Sequence, residues 1–236
     1  MNAKVTPLHP PAAPQRQRSG NALRKGQIKP YAMPDASCLE LNKVNWPLDA
    51  KDAVLLVHDM QQYWLDFFVD PQPVLKAVQS LVQAARAAQV PIVYTRGERP
   101  KHQAERALGL DMWGPGLAHP SITDADVAIA SSLLLHADDF VVDKVRVSAF
   151  YETPLPALLH KLGRKQLWVC GVFAHHGVMV SSIEAFMRNY KVQLIADALG
   201  DYNEEDHWMA LRYVAQTCGH IQTLQQVLPA LALAAA

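Results

Sequence analysis

The stretch Ala53-Val54-Leu55-Leu56-Val57-His58-Asp59-Met60-Gln61 decides how the rest of the chain is read. Five consecutive apolar residues without polar alternation belong to a strand covered on both faces, the pattern of a parallel sheet between helices. The run stops at His58-Asp59, so the strand carries a carboxylate to its C-terminal edge, where open α/β sheets keep their chemistry. Partial burial there raises a carboxyl pKa and suits Asp59 to proton transfer near neutral pH. The same residue could simply cap the helix that follows.

Outward from this run the pattern repeats. A helix is expected from about Val74 to Ala88, with Val74, Val78, Leu81, Val82 and Ala85 on one face. Further strands are expected at Ile92 to Thr95, Phe140 to Val142, Leu167 to Cys170, Val192 to Ala196 and His220 to Thr223. Helical patterns at Pro154 to Leu162, Val178 to Arg188 and Glu204 to Gln216 separate them. Strands alternating with such helices imply right-handed crossovers, hence a three-layer α/β/α domain on a mostly parallel sheet of about six strands.

With 236 residues, half of them apolar, the chain can bury a large core. Formal net charge is zero, so nothing global points to nucleic acid or an anionic membrane. No segment approaches the length of a membrane span, and no signal-peptide core is visible. Cys38, Cys170 and Cys218 are an odd number of widely spaced cysteines, which fits a reducing cytoplasm better than a disulfide framework. Residues 1–34 stand apart: six basic residues, six prolines and no acid read as a flexible basic arm ahead of a domain over 35–236.

Three strand ends invite chemical inspection. Lys144 follows the third strand, and if buried it needs a carboxylate, for which Asp59 is the candidate; pairing with Asp143 at the rim is the alternative. The loop Gly171-Val172-Phe173-Ala174-His175-His176-Gly177 opens a helix whose N–H groups could hold an anionic oxygen. His175 and His176 are adjacent and have no histidine or cysteine four residues on, a poor spacing for a metal, and no metal site is expected. Cys170 lies within a strand and is expected in the core.

His58-Asp59-Met60-Gln61, Asp111-Met112-Trp113-Gly114-Pro115-Gly116, Lys144 to Phe150, Gly171 to Gly177 and Ala196-Asp197-Ala198-Leu199 occur in the order and spacing of the isochorismatase family. From Asn45 to Leu228 the chain resembles the branch that serves siderophore and phenazine synthesis. The resemblance implies hydrolysis of the enolpyruvyl ether of isochorismate, or of its 2-amino-2-deoxy analogue, without metal or organic cofactor. It implies a homodimer and a small chorismate-derived substrate as partner. Asp59 would be the general acid and Lys144 its orienting ammonium. The backbone N–H of Gly177 would face the pyruvyl carboxylate, with Tyr63, Gly97, Arg106, Trp113, Val147 and Phe173 around the substrate. The Val172–Phe173 peptide bond would be cis. A related branch of the fold uses an Asp-Lys-Cys set on amides, but Gly177 occupies the cysteine's place.

Departures from the pattern fall in the pocket. The resembled enzymes have glutamine where Gly97 stands, tryptophan at Val145, and tyrosine at Val147 and Phe173. Each buried hydrogen bond lost is worth about 1 kcal/mol, so the pocket is expected to be larger and less polar near Gly97 and Val147, with Arg96 or Arg99 as substitutes for the amide. Three readings follow: a vinyl-ether hydrolase, a non-catalytic partner-binding member of the fold, and an amide hydrolase, which the missing cysteine disfavours.

Overall fold

The computed structural model describes residues 25–235, so most of the expected arm, residues 1–24, lies outside the described residues. From Lys25 onward the chain is packed. Ile28 is buried, and it pairs with the segment after the first helix through Ile28 N–H to Phe67 O at 2.8 Å and Val69 N–H to Ile28 O at 2.9 Å. The buried Ile28, the Lys25–Asp66 pair and the Tyr31 hydroxyl, which accepts from Asp201 N–H, thus hold this segment on the domain, although its composition reads as part of the arm.

Strands β1 (Ala53–His58), β2 (Ile92–Gly97), β3 (Phe140–Lys144), β4 (Gln166–Val172), β5 (Lys191–Gly200) and β6 (Gly219–Gln222) form one sheet in the order β3-β2-β1-β4-β5-β6. Every pairing is parallel. Helices α1 (Gln62–Leu65), α2 (Gln72–Ala87), α3 (Leu108–Trp113), α4 (Asp124–Val127), α5 (Leu155–Leu162), α6 (Met179–Met187), α7 (Glu204–Thr217) and α8 (Leu224–Ala235) supply the crossovers and the covering layers.

The apolar run of β1 is explained by its two neighbours and two faces. Ala53, Leu55 and Val57 point into a core shared with α2 and α8, while Val54 and Leu56 point into a second core shared with α5, α6 and α7. Each such valine or leucine, fully withdrawn from water, favours the fold by roughly 1.5–3 kcal/mol. The periodic face read in α2 is the one it buries. Its neighbour α8 turns Val227 and Leu231 inward. α7 starts on an Asn203 side chain that accepts from Asp206 N–H, with three acids in its first turn, both favourable at the positive end of a helix.

β3 runs two residues further than expected and so includes Lys144. It is an edge strand with only β2 beside it, and the continued pairing Gly97↔Lys144 carries it onward. Because side chains alternate along a strand, Lys144 lies on the same buried side as Val142, while Val141 and Asp143 face out. Geometry, not composition, puts this lysine inside.

β4 meets β1 closely at its end. Gly171, opposite His58, has φ +109, and a Cβ there would lie 2.2 Å from the His58 carbonyl oxygen. Gly171→Ala is therefore expected to lower the unfolding free energy by about 3 kcal/mol, from backbone conformation and overlap together. Urea denaturation measures this, and a loss below about 1 kcal/mol would mean that the two strands yield easily.

Candidate active site

Asp59 follows β1 with φ 48, a left-handed conformation that costs a non-glycine residue energy and needs support from its surroundings. The ends of the two strands on one side of β1 give that support. The Thr95 hydroxyl of β2 accepts from Asp59 N–H at 3.1 Å and donates to Oδ1 at 2.7 Å. The Lys144 ammonium of β3 lies 2.8 Å from Oδ2. Lys144 also donates to the carbonyls of Arg146 at 3.1 Å and Val147 at 3.3 Å, which engages all three of its N–H groups. Three neighbouring strands thus each contribute one group to a buried acid–ammonium pair, and the alternative partner, Asp143, is occupied by Arg96 instead.

Burial alone would favour the neutral acid, but the adjacent His58, the Lys144 charge and the hydrogen bonds from Lys144 and Thr95 together outweigh it and hold the Asp59 carboxyl below the usual carboxylate range. In the free protein Asp59 therefore rests as a carboxylate paired with Lys144, not as the neutral acid expected from an apolar strand beneath it. The partner charge decides the direction, and the sequence run did not reveal how close it stands.

His58, one residue earlier, is fully enclosed. Its Nδ1 lies 2.8 Å from Val172 O, and since a carbonyl only accepts, Nδ1 carries the proton. Burial lowers its pKa, so the ring is neutral and Nε2 is an unprotonated acceptor, with no hydrogen-bond partner among the described residues. The ring lies against Gly177, where an added Cβ would stand 2.2 Å from Cε1 and 2.8 Å from Nε2.

The loop after β4 contains a cis Val172–Phe173 bond, as the resemblance implied, then a π-helical turn over Ala174–Val178 that leads into α6. Phe173 is buried among Trp64, Phe68 and Tyr202. The His175 and His176 rings stack with centroids 5.9 Å apart, but His175 is held by Asp201. The His175 backbone N–H donates to Asp201 Oδ2 at 2.7 Å and its ring pairs with Oδ1 of the same residue. Burial would lower the His175 pKa, but Asp201 more than offsets this and raises it. His176 is pushed down to about 4 by burial and makes an edge contact with Trp113, ring centroids 4.9 Å apart.

The other expected residues divide. Trp113 reaches the Gly177 loop through His176, and Val147 offers its carbonyl to Lys144. Tyr63 packs edge-on to Trp64 and Phe67. Arg106 is turned to its own segment: its Nε donates to Gly114 O at 2.8 Å. Gly97 does not leave the room expected of it. A Cβ there would stand 2.8 Å from a Leu117 methyl and 3.3 Å from Gln61 Oε1, so apolar side chain and amide already fill the space. Gln61 also binds Gly97 N–H at 2.7 Å and Gly97 O at 3.0 Å. Arg96 and Arg99 do not take over the amide's place, being held by Asp143 and by Ile122 O. Two surface cavities, of about 430 Å³ between α2 and α8 and about 350 Å³ around Gln83 and His136, include none of these residues.

Thr95, Gln61 and the packing of His58 on Gly177 escaped sequence reasoning as participants. His58 and Gln61 stand inside a quoted motif and Thr95 at the end of an expected strand, which is a signal of position but not of partners. The link from His175 through Asp201 N–H to the Tyr31 hydroxyl at 2.8 Å spans 170 positions and left no local signal.

Comparison with known proteins follows the same lines. A family model described as the isochorismatase domain matches residues 53–226. Phenazine biosynthesis protein PhzD of Pseudomonas fluorescens is 40% identical over 206 residues, covering 85% of this chain and 96% of its own length. Enterobactin synthase component B of Escherichia coli K12 is 36% identical over 208 residues, covering 86% of this chain and 72% of its own. Among solved structures, a cysteine hydrolase from Pseudomonas syringae superposes with a TM-score of 0.73 at 26% identity, over 81% of this chain and 97% of that one.

The buried pair sets a stability prediction. Lys144→Met strands a carboxylate and is expected to cost about 3–5 kcal/mol, and adding Asp59→Asn to it should restore most of that loss. The Asp59 contribution, with its folded pKa depressed, is present at neutral pH and lost as pH falls below about 4. In the double variant that part of the acid-induced loss should vanish, as urea melts at several pH values would record.

Proposed function

Because this chain belongs to the isochorismatase family, we propose that it hydrolyses the enolpyruvyl ether of isochorismate or of a close analogue such as 2-amino-2-deoxyisochorismate, in the synthesis of a siderophore or a phenazine-type metabolite. The observation that carries this reading is the Asp59–Lys144 pair, 2.8 Å apart at the ends of β1 and β3, with Gly177, which offers no nucleophile, packed on the adjacent His58 ring. The related names, enterobactin synthase component B and phenazine biosynthesis protein, support the pathway class.

The chemistry needs one proton and one water. Asp59, protonated, adds its proton to the terminal methylene carbon of the vinyl ether, and the positive charge is shared with the ether oxygen as an oxocarbenium ion. Water adds to the ether-bearing carbon of that ion and returns a proton to the Asp59 carboxylate. The resulting hemiketal collapses to pyruvate and the ring alcohol, a dihydrodiol or its amino counterpart. In the free protein Asp59 is ionised, so the proton must be loaded as substrate binds: a carboxylate brought near Lys144 weakens that ammonium's hold on Asp59, and exclusion of water then favours the neutral acid. Lys144 orients the carboxyl, and Gly177 N–H faces the pyruvyl carboxylate. Trp113, Phe173, Tyr63, Arg106, Gly97 and Val147 form the surroundings. The reading includes a homodimer in the cytoplasm, supported by three unpaired buried cysteines and by exposed apolar side chains such as Leu108, Met187 and Leu233.

A pyruvate-coupled assay over isochorismate, its 2-amino-2-deoxy analogue and chorismate tests the proposal. Release is expected from one of the first two, falling at least about a hundredfold in Asp59→Asn. Since an acid form is required, kcat/KM should decline with rising pH, approaching roughly tenfold per unit on the alkaline side. No release from any of the three would favour a non-catalytic member of the family, and ammonia release from an amide would favour the cysteine-type branch.

A further inference from the structure

Gly177 is the position at which a nucleophilic side chain would have to stand, and its neighbour on the Cβ side is not solvent or a flexible chain but the His58 ring. A Cβ built on Gly177 falls 2.2 Å from His58 Cε1, 2.8 Å from Nε2 and 3.2 Å from Nδ1. The first two distances are shorter than real carbon contacts show, and the third is tight. The ring cannot step aside. Nδ1 is tied to Val172 O at 2.8 Å, the residue is 1% exposed, and its backbone is clamped by Gly171, whose missing Cβ would meet His58 O at 2.2 Å. Two glycines and one histidine therefore interlock: Gly171 lets β4 approach the His58 backbone, and Gly177 lets the π-helical turn approach its ring.

We propose that His58 is a specificity-determining residue that closes the covalent route, by occupying the volume a nucleophile at 177 needs, so that the reaction class is set by the pair 58/177 and not by Gly177 alone. The residue preceding Asp59 then decides whether the turn can carry a side chain at all. A thiol at 177 could be accommodated, next to the Asp59–Lys144 pair, only when residue 58 is small. The inference goes beyond the ether-hydrolase reading and does not rest on it, because no step of it involves substrate.

The test compares Gly177→Cys, His58→Ala/Gly177→Cys and His58→Val/Gly177→Cys with the parent protein, by thermal melting and by the rate of iodoacetamide labelling followed by intact mass. The native cysteines, Cys38, Cys170 and Cys218, are all buried and set a low background. Gly177→Cys alone is expected to melt about 5 °C or more below the parent. Shrinking residue 58 should recover much of that loss and speed labelling of the new thiol at least about tenfold over the single variant. Gly177→Ala, combined with the same changes at 58, repeats the melting comparison with one methyl group. Single variants as stable as the parent, or double variants that melt lower than the singles, would overturn the assignment. A thiol in the single variant that labels as fast as in the doubles would do the same.

Discussion

A carboxylate and an ammonium 2.8 Å apart, both withdrawn from water, are the constraint around which this molecule is arranged. Neither charge is tolerable there alone, since removing one partner of a buried pair leaves the other uncompensated. Their meeting requires that β1 and β3, separated by β2, end at the same level, and β2 adds the Thr95 hydroxyl that bonds Asp59 twice. Register across three strands is thereby tied to electrostatics. The unusual backbone of Asp59 persists because these contacts over-determine it.

On the other side of β1 the constraint is steric. His58 sits between two glycines whose absent side chains define its room, and the turn after β4 is folded tightly over it. The same turn is fastened from behind by Asp201, which accepts from His175 and donates its own N–H to the Tyr31 hydroxyl. Charge and hydrogen bonding thus locate the acid, while shape governs what can stand beside it.

Much of the architecture was legible in the chain because the decisive signals are local. An unbroken apolar run from Ala53 to Val57 can serve only a strand with two covered faces, and the spacing of Val74, Val78 and Leu81 only a helix on one of them. Lys144 was legible as a candidate, but its burial depends on strand alternation continuing two residues past Val142, which composition does not encode. The state of Asp59 was misjudged for a related reason: apolar neighbours in sequence announce burial, whereas the opposing charge arrives from 85 positions away. Gly97 read as a loss of substance, and only the folded chain shows Leu117 and Gln61 in that space. Leu117 comes from the long β2–β3 connection, where periodicity is weakest.

That connection carries a broader meaning. In the proposed reaction the acid and its ammonium hang from strand ends paired with their neighbours, while Trp113, Arg106 and Leu117 belong to a connection in which Arg106 is braced by the Gly114 carbonyl. Under that proposal, reactivity and recognition are housed in different parts of the chain. An ancestral line could then rewrite the connection to admit a new molecule without disturbing the scaffold that moves the proton, so divergence in diet need not entail divergence in chemistry.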